Sequence, residues 1–152
     1  MDVSRSILWI SLLVSTLILV SCGNLPDDFE SLSLEEKVKA YESHFESYGR
    51  ESSFARAYIS LHGVNAAQLM TEYIQENRCC LPIMEAVEII HLVQLRGCKL
   101  SGTKPEHVLV QLIESGKLND ADRIATMNAL EDIRNNRTVI FDDLGAGLCS
   151  QP

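Results

Sequence analysis

The chain is predicted to be all-α, a bundle of five or six helices or a short helical repeat, on three observations. From residue 33 onward apolar side chains recur at steps of three and four, the period of helices that bury one face. Capping residues and glycines punctuate these stretches at helix-length intervals. No run alternates apolar and polar residues long enough to make a strand.

The punctuation places each helix in turn. Ser33-Leu34-Glu35-Glu36 fits a capping box, with the Ser33 hydroxyl taking an orphan amide of the first turn and Glu36 reaching back. Leu34, Val38, Tyr41, Phe45 and Tyr48 form the apolar stripe of that helix, which Gly49 can end. Ser52 or Ser53 caps a second helix carrying Phe54, Ala57, Tyr58 and Leu61, closed by Gly63. Asn65 caps a third with Leu69, Met70, Tyr73 and Ile74. Pro82 suits the first turn of a fourth helix, where a missing amide hydrogen costs nothing. Ile83, Met84, Val87, Ile89, Ile90, Leu92, Val93 and Leu95 make this fourth helix apolar on most sides, so it should be the central one, and Gly97 ends it. Thr103-Lys104-Pro105-Glu106 offers a second capping box, opening a fifth helix with Val108, Leu109, Leu112 and Ile113 that Gly116 stops. Asn119 or Asp120 caps a sixth with Ile124, Met127, Leu130 and Ile133. The core is expected to centre on Ile83, Val87, Ile90 and Leu109.

Two helix pairs, 66–97 and 105–134, superpose at an offset of about 38 or 39, which sets Leu69, Met70, Tyr73 and Ile74 on Val108, Leu109, Leu112 and Ile113. This period resembles the paired-helix repeats of the HEAT and armadillo kind, and the resemblance implies a short HEAT-like helical repeat with a protein-binding face. A plain up-down bundle with similar loops gives the same pattern, so both architectures stand.

Residues 1–21 read as a signal peptide. Ile7 to Val20 is an uncharged stretch of 14 residues after Arg5, shorter than the roughly 20 that a helical membrane span needs. The stretch ends on Leu19-Val20-Ser21-Cys22, which resembles the lipobox of bacterial lipoproteins. That resemblance implies cleavage before Cys22, a diacylglyceryl group on its sulfur and an acyl chain, such as palmitate, on the new amino terminus, since one chain alone anchors only marginally. Position 23 is Gly rather than the Asp that retains Gram-negative lipoproteins at the inner membrane, so the implied destination is the outer membrane, facing the periplasm. Residues 22–32 are acidic, carry one proline and read as a lipidated tether. The helical domain is then 33–135 and the C-terminal tail 136–152.

Net charge is −8, and loss of the leader removes one acid (Asp2) and one base (Arg5), leaving that value unchanged. Such a surface repels nucleic-acid phosphates and favours a basic protein partner, besides keeping the domain soluble. With Cys22 assigned to lipid, Cys79, Cys80, Cys98 and Cys149 remain as disulfide candidates in an exported chain. A continuous helix over 82–96 would separate Cys80 from Cys98 by about 25 Å, far beyond the roughly 5.5 Å of a disulfide. Cys149 is therefore expected to clip the tail to the body, with Cys98 as the preferred partner because the sixth helix should end near the close of the fourth. This leaves Cys79 and Cys80 as free thiols or a strained adjacent pair.

Catalytic and metal grammar is sparse. Cys79, Cys80, Cys98 and His107 could be recruited to a metal, but adjacent cysteines lack a chelating spacing. Glu88-Ile89-Ile90-His91 has the Glu-x-x-His spacing of carboxylate-bridged di-iron bundles, yet no second copy exists, so the pair reads as a polar edge on a buried helix. His44, His62, His91 and His107 fall in no triad pattern, no phosphate-cradling glycine loop follows a strand, and Asn136-Arg137-Thr138 is a chance sequon in a bacterial chain. No catalytic residue, cofactor or metal is assigned. The expected role is a non-enzymatic, lipid-anchored envelope protein that binds another envelope protein: an immunity or inhibitor protein against an envelope-acting toxin, or a pilotin-like assembly factor for an outer-membrane complex. Both roles rest on analogy of class.

Overall fold

The computed structural model describes residues 25–48, 52–76, 81–139 and Cys149, and for residues 44–48 the backbone alone. Among these described residues are a short 3-10 turn (Phe29–Ser31) and six α-helices: α1 (Leu34–Tyr48), α2 (Ser52–Ser60), α3 (Val64–Glu76), α4 (Ile83–Leu95), α5 (Lys104–Glu114) and α6 (Asp120–Arg134). Among the described residues there is no strand, and no helix is long and apolar enough to cross a membrane.

Local chemistry sets the helix ends. At α1 the capping box is complete, since the Glu36 amide donates to Ser33 Oγ (3.3 Å) and the Ser33 amide donates to Glu36 Oε2 (2.9 Å). Asn119 caps α6 by accepting from the Asp122 amide at 2.9 Å. The second expected box forms only in part. Thr103 turns its hydroxyl back to the Leu100 carbonyl, and Glu106 accepts from the Gly102 amide instead, because Gly102 at φ +76° brings its N–H over the helix end. α3 begins one residue before its expected cap Asn65, directly after Gly63.

The helices form three hairpins, α1–α2, α3–α4 and α5–α6, stacked so that α4 touches α2, α3 and α6 while α3 packs on α5. α4 and α6 run parallel: Thr126 Oγ1 lies 3.8 Å from Met84 Sδ, His91 pairs with Asp132, and the Leu95 carbonyl accepts from the Val139 amide at 2.7 Å. Side chains meeting across these helices are 41 and 42 residues apart, a few residues more than the offset of about 38 or 39 read from sequence. Val87, Ile90 and Leu109 are buried as expected, but Ile83 is only partly buried, and Tyr41, Met70, Tyr73 and Ile89 complete the centre.

Three readings are corrected by packing. α2 buries Ala55 and Ile59 and leaves Phe54 61% exposed, because the arc that faces α4 lies off the stripe read from sequence. α6 buries Thr126, Ala129, Leu130 and Ile133, leaving Ile124 and Met127 exposed. The segment read as a tether is docked from Leu25 onward. Phe29, in a short 3-10 turn, is buried and stands edge-on to the Tyr58 ring, with centroids 6.2 Å apart. Lys37, almost fully buried, donates its ammonium to the Glu30 carbonyl (2.9 Å) and the Leu32 carbonyl, and burial lowers its pKa. One aromatic anchor and one satisfied cation fix a stretch whose composition suggests a linker.

Gly63 closes the α2–α3 turn at φ +59°, and a Cβ there would lie 3.1 Å from Cys149 Sγ and 3.4 Å from Cys98 Sγ. Gly63→Ala is therefore expected to lower stability by about 1–2 kcal/mol through the left-handed conformation alone, with crowding of the sulfurs added. A denaturant midpoint unchanged from the parent would contradict both causes.

Candidate functional site

α2, α4 and α6 lie side by side, and their seam forms a groove of about 520 Å³. Ala57 and Leu92 supply its apolar lining, and Arg56, Glu88, His91 and Asn128 its polar walls. The polar walls follow from the α4 sequence, where the ionisable Glu85, Glu88 and His91 recur every three residues, a step that Gln94 continues, along a helix whose other residues are apolar.

Each of those side chains takes a partner from another helix. The half-buried Arg56 of α2 donates Nη1 to Glu85 Oε2 (2.6 Å) and Nε to Glu88 Oε2 (2.9 Å), and the Tyr41 hydroxyl of α1 donates to the same Glu85 oxygen. Burial opposes the charge on Arg56, but the hydrogen bond to Glu85 and the two carboxylate charges outweigh it and hold its pKa above the ordinary value. Burial, and then the Glu85 carboxylate, push the Tyr41 phenol up strongly, so it stays a proton donor. Farther along the groove, His91 Nε2 lies 2.8 Å from Asp132 Oδ2, and Arg137 Nη1 donates to Asp132 Oδ1 at 3.3 Å. Burial raises the Asp132 carboxyl, but its bonds with His91 and Arg137 prevail and lower it.

The Asp132 shift has a testable sign. A carboxyl depressed below its ordinary value of 3.8 contributes stability that is full above that pH and is lost as pH falls through the lower folded value. The gap in unfolding free energy between the parent and Asp132→Asn should therefore narrow as acid titrations pass below 3.8. A gap that stays constant down to the acid limit would exclude the linkage.

At the C-terminal end of α4 the chain is tied together. Cys98 and Cys149 form a disulfide with Cα atoms 4.8 Å apart, beneath the Gly63 turn. Gln94, almost fully buried, donates Nε2 to the Arg137 carbonyl and accepts the Leu100 amide on Oε1, each at 3.1 Å. Arg96 donates Nε to Ser60 Oγ at 2.8 Å. Cys22, Cys79 and Cys80 lie outside the described residues, as does the side chain of His44.

Glu88 and His91, paired in sequence by their spacing, turn to different helices, Glu88 to α2 and His91 to α6. His107 is exposed on α5 whereas Cys98 is buried, and His62 sits in the α2–α3 turn, its pKa lowered by burial and then by Lys37 against a smaller opposing effect of Glu35. Among the described residues no three His, Cys, Asp or Glu side chains are grouped to hold a metal ion. Sequence reasoning missed Arg56, Glu85, Asp132 and the Tyr41 hydroxyl. The three-residue polar step on α4 was the available signal, since a buried helix carrying three such groups needs partners from its neighbours. The resulting surface is a groove with an apolar lining and fixed charges at its walls. Compared with protein-family models, curated proteins and solved structures, the chain finds no match.

Proposed function

We propose that this chain is a lipid-anchored, non-enzymatic protein-binding module of the bacterial envelope, acting as an immunity or inhibitor protein against an envelope-acting toxin and holding its partner in the α2–α4–α6 groove. The observation that carries this reading is Glu88. Its carboxylate is 47% exposed at the groove wall while Arg56 behind it, at 18%, fixes its direction. A preset carboxylate in a chain of net charge −8 suits a basic partner, and charge of this kind governs the rate and selectivity of encounter. The anchor in this reading is lipid on Cys22, on the lipobox Leu19 to Cys22.

Crosslinking in intact membranes followed by purification tests both halves. Glu88→Lys should remove the captured partner while the protein stays folded and membrane-bound, and Cys22→Ser should release it from the membrane or leave it uncleaved. Capture that survives Glu88→Lys would move the partner off the groove, and membrane retention with normal processing in Cys22→Ser would end the lipid reading. A small helical body closed by a disulfide favours a second role, a pilotin-like assembly factor. Capture of an outer-membrane complex subunit in place of a toxin would select it.

A further inference from the structure

We infer that the outer face of α6 is a self-association surface, on which a second copy of this chain packs its own α6 antiparallel about a two-fold axis at Met127. α6 belongs to the last hairpin of the stack, and its outer stripe carries exposed apolar side chains. Ile124 is 59% exposed and Met127 49% exposed, beside a groove of about 430 Å³ between α5 and α6 that Ile113 and Leu130 line. Asp120, Arg123, Glu131 and Arg134 are exposed around them. Their three- and four-residue steps put all of these side chains along one side of the helix, flanking the buried arc of Thr126, Ala129, Leu130 and Ile133.

The charges select the partner. In an antiparallel pair centred on Met127, a residue so many places before it meets the residue equally far after it in the second copy. Asp120 then meets Arg134, Arg123 meets Glu131, and Ile124 meets the mouth of the groove that Ile113 and Leu130 line, while Met127 meets itself. Both charged pairs are opposite in sign, and the two-fold axis repeats each of them. Parallel packing would instead set Asp120 on Asp120 and Arg134 on Arg134. Arg134 is also held in place, since its Nε donates to Glu106 at 3.0 Å and the rest of its guanidinium, on a side chain 55% exposed, is left to reach outward. A face that is apolar at its middle and self-complementary at its ends fits another copy of itself better than a uniformly basic ligand.

The test uses the full chain in membranes. In Met127→Cys the new thiols lie on the axis, so mild oxidation should give a covalent dimer, whereas Lys39→Cys, exposed on α1, should not. Adding Asp120→Arg or Arg134→Asp to Met127→Cys turns two attractions into repulsions and should cut the dimer yield about tenfold. Both reversals together restore opposite signs and should restore the yield, which damage to the fold would not. Dimer no greater than in Lys39→Cys, dimer indifferent to the single reversals, no recovery in the combined variant, or a Met127→Cys adduct to a different protein would each overturn the inference.

Discussion

Truncation of Ile90 to alanine should lower the free energy of unfolding by about 2–5 kcal/mol, the range for removing a fully buried branched side chain. Ile90 is wholly inaccessible on α4, the helix in contact with α2, α3 and α6, so the space left by the missing atoms can close only if packed neighbours shift. The cost should therefore lie in the upper part of that range. Ile83, on the same helix but only partly buried, provides the internal comparison and should lose less on the same truncation. Urea melts of the two variants and the parent decide it. A loss below about 1 kcal/mol for Ile90→Ala, or a larger loss for Ile83→Ala, would place the structural centre elsewhere.

Loss of the Cys98–Cys149 crosslink is the second large effect. The two cysteines are 51 residues apart, and closing a loop of that size removes enough freedom from the unfolded chain to stabilise the fold by about 4 kcal/mol. Cys149→Ser should show that loss, and reductant should bring the parent to the same stability while leaving the variant nearly unchanged. The native state has its own reasons to hold the tail there: the Gly63 turn leaves room for the sulfurs, and the bonds from Val139 to Leu95 and from Gln94 to Arg137 already bring the chain after α6 to the end of α4. The crosslink thus closes a contact that packing has prepared. Recovery of Cys149 as a free thiol from protein isolated without reductant, or equal stability of parent and variant, would contradict the expectation.

The helices themselves are legible in the sequence because their signals are local. Ser33 and Glu36 satisfy each other within one turn, Asn119 caps its own helix, and Gly63, Gly97 and Gly116 adopt the positive φ that ends a helix cheaply. The central place of α4 was legible too, since a helix apolar on most sides needs neighbours on most sides. Which neighbours they are was not. Apolar periodicity says that a face is buried but not which arc meets which helix, so Phe54, Ile124 and Met127 belong to the apolar stripes read from sequence and yet are exposed. Residues 25–32 read as a tether because acidic composition dominates there, while a single Phe29 and the buried Lys37 were enough to dock them. The groove depended on tertiary structure most of all. Arg56 with Glu85 and His91 with Asp132 are joined across 29 and 41 residues, and only the side-by-side packing of α2, α4 and α6 brings such distant charges within hydrogen-bonding reach.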